Sequence, residues 1–169
     1  MSITLPPKVA PGDVIRSAYH NMLVDAVATL DERTSQTFIL AVPLAGTEIP
    51  YGVRKVYVPY LGLAVGEDPS QDVGFPLPFR TKLALLKVYA ASNSLNKSAK
   101  VTLYRNGSPT IFTLTIPAGQ SGLFVNDISE LVFDEGDRLT IVLDTSASTS
   151  GSITLTGISL AARIALEGE

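Results

Sequence analysis

The sequence contains no cysteine and no tryptophan, and it has a single histidine. Without cysteine there is no disulfide, no thiolate nucleophile and none of the common structural zinc sites. Aromatic residues make up only 7%, so the usual stacking platform for sugars is thin. Charge is scarce as well. Charged residues account for 17%, against roughly 25% in an average soluble domain. So little charge leaves apolar surface to be buried against other subunits, unless Ser, Thr and Gly simply make an uncharged exterior. A net charge of −3 and a pI near 5.1 argue against nucleic acid or an anionic membrane as partner. No basic stretch followed by an apolar run opens the chain, so no signal peptide is visible. The longest uncharged apolar stretch, near Phe38 to Ala45, holds Pro43 and is too short to span a bilayer. A soluble protein is expected.

What is present divides at about residue 36. Pro6, Pro7 and Pro11 push their neighbours towards extended backbone, so the first residues read as an arm. Within it, Ile3, Leu5, Pro6, Pro7 and Val9 are the candidates for attachment. Ser17 is a good N-cap, and Tyr19, Met22, Leu23, Ala26, Val27 and Leu30 then recur at helical spacing on one stripe. A helix of about four turns is marginal alone, so the stripe must pack. Its partner is either the chain's own β domain or the same helix of sister subunits.

From Thr37 to the end the periodicity is two, and the expected fold is an antiparallel β-sandwich of jelly-roll type over residues 37–169. Candidate strands are "TFILAV", "RKVYVPYLGLAV" interrupted at Pro59, "TKLALLKVYAAS", "AKVTLYR", "TIFTLTI", "GLFV", "ELVF", "RLTIVLDT" and "ITLTGISLAARIAL". The firmest local signal is Asn106-Gly107, a hairpin turn that puts Val101, Leu103, Phe112, Leu114 and Ile116 inwards. In the last strand the apolar positions change from odd (Ile153, Leu155) to even (Ile158, Leu160) across Gly157. A strand with one buried face cannot do this without an extra residue. The change means either a bulge at Gly157, with the glycine strained, or two strands meeting at a turn. The segment "GEDPSQDVGFPLPF" reads as a long loop whose Phe75, Leu77 and Phe79 form a candidate contact surface.

Chemistry is hard to place. His20 with Ser17 and Asp13 or Asp25 makes a triad only on paper, because all of them lie in one short segment. His20 reads instead as interfacial or solvated. The acids of "GED", Asp72, and "DEGD" at Asp134 to Asp137 are oxygen ligands in type, but neither group matches an EF-hand loop. They read as solvated turn residues. Tyr51, Tyr57 and Tyr60 are the remaining sugar-stacking candidates, and each also reads as an ordinary strand aromatic. The expectation is a protein that is not an enzyme and uses no metal or cofactor.

The start, "ITLPPKVAPGDVIRSAYHNMLVDAVATLDER", resembles N-terminal segments of small virion proteins of tailed phages. The matching positions are Gly12, Asp13, Val14, Ile15, Asn21, Leu23 and Arg33, with Met22 standing between Asn21 and Leu23. The run "VTLYRNG…TIPAGQSG…FDEGDRLTIVL…ITLTGISLAARI" is similar to β-sandwich modules of phage fibre, head-fibre and decoration proteins. The resemblance implies a homotrimeric protein on the virion surface, docked through its N-terminal part to a major capsid or other virion protein. Two roles follow from it: a capsid decoration or cement protein, or a fibre tip that recognises a host glycan or surface protein. The hydrophobic character of the Gly66 to Phe79 loop favours the structural role.

Overall fold

In the computed structural model, the chain divides into two compact units, Met1–Gln36 and Thr37–Glu169. The structure describes residues 37–61, 64–67 and 73–165. The expected arm and helix lie outside the described residues. Among the described residues there is no helix, and the fold is an antiparallel β-sandwich.

Ten strands build it: β1 (Thr37–Pro50), β2 (Arg54–Tyr57), β3 (Ala64–Gly66), β4 (Phe75–Pro76), β5 (Thr81–Asn93), β6 (Ala99–Arg105), β7 (Ser108–Ile116), β8 (Gly122–Phe133), β9 (Arg138–Asp144) and β10 (Ser152–Ile164). One sheet has the order β1-β10-β5-β8. The other has the order β3-β2-β9-β6-β7, with β4 also pairing β9. Four of these pairings, β6–β7, β5–β8, β2–β9 and β1–β10, are successive rungs of one long antiparallel ribbon. Its tip is the Asn106-Gly107 turn, where both residues have positive φ (51° and 78°) as the tight hairpin requires. Rolling the ribbon brings β10 against β5 and β9 against β6, which closes the jelly roll.

Alternation then decides what is inside. Val101, Leu103, Leu114 and Ile116 meet Leu40, Leu86, Val88, Phe133, Ile141 and Leu160 in one continuous core. Thr102 and Thr113 face outwards and share a hydrogen bond at 3.0 Å. Strand β9 breaks the alternation, for all five residues from Leu139 to Leu143 are buried. Leu139, Ile141 and Leu143 belong to the core, whereas Thr140 and Val142 lie on the opposite face. There the chain at Gly74 passes directly against Arg138 and Thr140.

The parity change has its explanation in β10, which is one strand rather than two meeting at a turn. Leu155 pairs Ala90 and Gly157 pairs Tyr89, so Thr156 is the extra residue of a bulge. The expectation of a strained glycine is corrected. Gly157 is not among the positive-φ residues, and a Cβ built on it meets nothing nearer than the Val42 carbonyl at 3.7 Å.

Candidate contact surface

Strand β2 ends at Tyr57, and the chain must cross to the other sheet to begin β5. Pro59 stops the ladder because it has no N–H to donate. Tyr60 then takes a positive φ of 68°, uncommon for a large side chain. Three contacts hold it there. Its N–H donates to the Ala41 carbonyl at 2.6 Å, its hydroxyl donates to the Ile39 carbonyl at 2.8 Å, and its ring meets Phe75 edge-on at 5.4 Å. The result is a fixed apolar corner in which half of Tyr60 and of its neighbour Leu61 remains exposed.

The end of the same connection is pinned more firmly. Phe75 pairs Leu139 in the ladder, and Leu77 exchanges backbone hydrogen bonds with the Asp134–Asp137 turn: its N–H donates to Asp137 and its carbonyl accepts from Gly136, both at 2.9 Å. The side chain of Leu77 is 1% exposed. Of the three residues expected to form a contact loop, then, Leu77 is core and Phe75 is half-buried. Only Phe79 stands out, slightly more than half exposed. The sequence pattern could not separate them, because "FPLPF" alternates apolar residues without showing which side faces the core.

The acidic turn has its own ligands. Asp137 accepts from Asn106 Nδ2 at 2.6 Å, from the Asp134 N–H at 2.7 Å and from Arg105 Nε at 2.6 Å. Arg105 also reaches Asp134 at 2.8 Å and lies over the Phe133 ring, 5.8 Å from its centroid. The Asn106 side-chain oxygen in turn accepts from the Arg138 N–H at 2.8 Å. These charges lock the ribbon tip to the β8–β9 turn. Elsewhere, a hydrogen bond from Lys55 Nζ, 2.9 Å away, holds the Glu67 carboxyl below its ordinary pKa. Burial pushes the Asp144 carboxyl up. Hydrogen bonds from Ser146 and Arg54 outweigh that, so its pKa is lowered overall. Among the described residues no three acids or histidines gather as a metal site.

The tyrosines do not converge. Tyr57 is buried in the core, which pushes its phenol up to about 12. Tyr51 and Tyr60 stand beyond opposite ends of β2. The crevice beside Tyr57, lined by Thr47, Ile49, Lys55 and Ala64, holds only about 100 Å³, well below an ordinary ligand pocket. The candidate arm (Ile3, Leu5, Pro6, Pro7, Val9), the helix stripe (Tyr19, Met22, Leu23, Ala26, Val27, Leu30), His20 and Asp72 lie outside the described residues.

No protein-family model matches the chain, and no curated protein matches it. Among solved structures it is similar to dimeric latent PorU from Porphyromonas gingivalis, with 12% identity and a TM-score of 0.44 over 77% of this chain and 13% of that one. It is similar to the CBM36-1 domain of a multidomain xylanase from the hindgut metagenome of Trinervitermes trinervoides, with 16% identity and a TM-score of 0.41 over 74% of this chain and 96% of that one. It is also similar to the VP2 subviral particle of infectious bursal disease virus, with 15% identity and a TM-score of 0.36 over 76% of this chain and 32% of that one. The chain thus spans a small part of PorU and about a third of VP2. The overlap is loose and the identity low, so these likenesses add nothing about function to what the geometry says.

Proposed function

We propose that the chain is a non-enzymatic virion protein on the outside of a phage-like particle, which it decorates or cements as a homo-oligomer, a trimer by the resemblance of its N-terminal segment. The observation that carries this reading is the fixed apolar corner at the β2–β5 connection. Tyr60 and Leu61 stand exposed on a backbone held by hydrogen bonds, and Phe79 stands exposed where the connection ends, in a chain with only 17% charged residues. A rigid apolar corner costs little entropy to dock, as cement contacts require. In this reading residues 1–33 attach the protein, the arm adding strand-type hydrogen bonds to a neighbour.

The test uses particles lacking the protein and the purified full chain. The full chain is expected to bind them and to raise the temperature at which the shell opens. Deleting Met1 to Pro11, or replacing Phe79 by Ser, should weaken binding at least tenfold. Equal binding by the arm deletion would overturn the attachment role of the N-terminus, and no binding by the full chain would overturn the particle reading.

A fibre-tip role is the second reading. It is favoured by Tyr51, half exposed and tied by its N–H to Gly151, beside turns rich in Ser, Thr and Asn. Glycan binding that Tyr51→Ala abolishes would move the reading there.

A further inference from the structure

The outer face of the four-stranded sheet carries several large apolar side chains that the described residues leave uncovered. Ile39 is 63% exposed, Leu123 58%, Val125 51% and Tyr89 50%. Register aligns three rows across it. Pro43, Gly157, Tyr89 and Leu123 form the first row, Ala41, Ser159, Lys87 and Val125 the second, and Ile39, Ala161, Leu85 and Asp127 the third. In the first two rows size is sorted by strand. On β5 and β8 every side chain is large, and on β1 and β10 every one is small. A groove of about 300 Å³ lies along this division, between Tyr89 and Leu123 on one side and Pro43 on the other, with Gly157 and Ser159 in its lining.

Gly157 makes the sorting informative. Its backbone does not need glycine, since φ is not positive and a Cβ meets nothing closer than 3.7 Å. What the missing side chain does is leave the groove open.

We infer that this face binds a second copy of the chain, face to face, about a two-fold axis running along the strands between β10 and β5. Such an axis lays β5 of each copy over β10 of the other, and β8 over β1, with rows preserved. Tyr89 then enters the partner's groove over Gly157, Leu123 covers Pro43, Val125 covers Ala41, and Lys87 lies over Ser159. In these two rows large side chains meet small ones, as sheets packed about 10 Å apart require. In the third, at the end of the contact, Leu85 covers Ala161 and Asp127 lies over Ile39. A foreign partner would have no reason to divide the face into two complementary halves. An isologous contact does, because each half must fit the other. The three rows carry only one cation, Lys87, and one anion, Asp127, so each copy brings few charges to a face-to-face contact. The patch measures roughly 20 Å by 20 Å from strand spacings, in the range of weak, reversible interfaces. Pairing is therefore expected at high local concentration.

This contact adds to the self-association proposed above but does not depend on a particle, so it is tested on the purified full chain alone. The absence of native cysteine gives a clean background. Ala41→Cys and Val125→Cys are prepared separately and treated with a short bis-maleimide at high concentration. In the proposed pairing residue 125 of one copy lies over residue 41 of the other, whereas like positions are three strand spacings apart, about 14 Å sideways. A covalent dimer is expected when the two variants are mixed and not from either alone. Adding Gly157→Leu to both should close the groove and cut the yield at least tenfold, and Tyr89→Ser, a change at an exposed site, should do the same. No crosslink on mixing, equal crosslinking by one variant alone, or a yield indifferent to both groove changes would overturn the inference. Particle binding by the same preparations reads the decoration role separately, so either proposal can fail without the other.

Discussion

Replacing Gly151 by alanine, beside the same change at Gly157, tests how this backbone is constrained. Gly151 has a φ of +88°, and a Cβ built on it would stand 2.1 Å from the Ser94 carbonyl oxygen and 2.9 Å from the Leu95 nitrogen. Neither neighbour is a flexible side-chain end, so the backbone itself must move. The hydrogen bonds that would move with it are Tyr51 N–H to Gly151 at 3.1 Å, Ser94 N–H to Ser152 at 2.8 Å and Asn96 N–H to Ser150 at 3.3 Å. Backbone strain of this kind costs about 1–3 kcal/mol, and each lost hydrogen bond adds about 0.5–1.5 kcal/mol. Gly151→Ala should therefore cost about 3–6 kcal/mol, a large part of the roughly 5–15 kcal/mol that holds a domain folded. The midpoint of thermal unfolding should fall by on the order of 10 °C. Gly157→Ala has room and no φ penalty, so it should be neutral or stabilise by about 0.4–1 kcal/mol through the unfolded chain. Urea denaturation of both variants beside the parent makes the comparison. A Gly151→Ala protein within about 1 kcal/mol of the parent, or equal losses at the two positions, would refute the reasoning.

The ribbon tip should behave as a coupled unit. Asp137→Asn turns an amide donor either towards Arg105 and the Asp134 N–H or towards the Asn106 amide donor and should cost about 2–3 kcal/mol. A double-mutant cycle with Arg105→Ala should show coupling of about 1–3 kcal/mol by chemical denaturation. Coupling near zero would mean that the pair is only a surface contact. Two groups should shape the pH dependence. Asp144 has a lowered folded pKa, so its stabilisation is present above the unfolded value of about 3.9 and is lost as pH falls through the folded value. Asp144→Asn should flatten that acid limb in denaturation curves. Tyr57 has a raised folded pKa near 12, so its contribution is present below the unfolded value near 10 and is lost as pH rises through 12. Absorbance of the phenolate should show Tyr57 titrating late, and Tyr57→Phe should remove that step.

The strands and their inward faces were legible in the sequence because alternation is a local property. Val101, Leu103, Phe112, Leu114 and Ile116 are all buried as their spacing requires, and the parity change around Gly157 marked a real bulge. Which strands pair was not legible, since Phe38 meets Ala162 only through the rolled topology. The constraint at Gly151 comes from Ser94, far away in the chain, so nothing in "SASTSGS" set it apart. Leu77 and Tyr57 drew functional readings for the same reason. Their burial depends on β9 and on the opposite sheet, not on their neighbours in sequence. The outer face of the four-stranded sheet was not legible either, because a parity change points to a backbone role for Gly157 and not to the space its missing side chain leaves open.

The rolled ribbon also sets an order of events in time. Its tip can close by itself, since β6 and β7 are joined by a two-residue turn that forms in microseconds. Each later rung must draw together ends that are farther apart, and the last, β1 on β10, joins Thr37 to Arg163. Among the described residues β1 ends its sheet, with β10 as its sole strand neighbour there. On a ribosome the first strand of the sandwich therefore emerges early and waits, with Leu40, Val42 and Leu44 unburied, until almost the whole domain has been made. Folding should accordingly be slow for a domain of this size. The interval in which aggregation competes with it should lengthen with anything that delays β10, whether or not that change alters the finished sandwich.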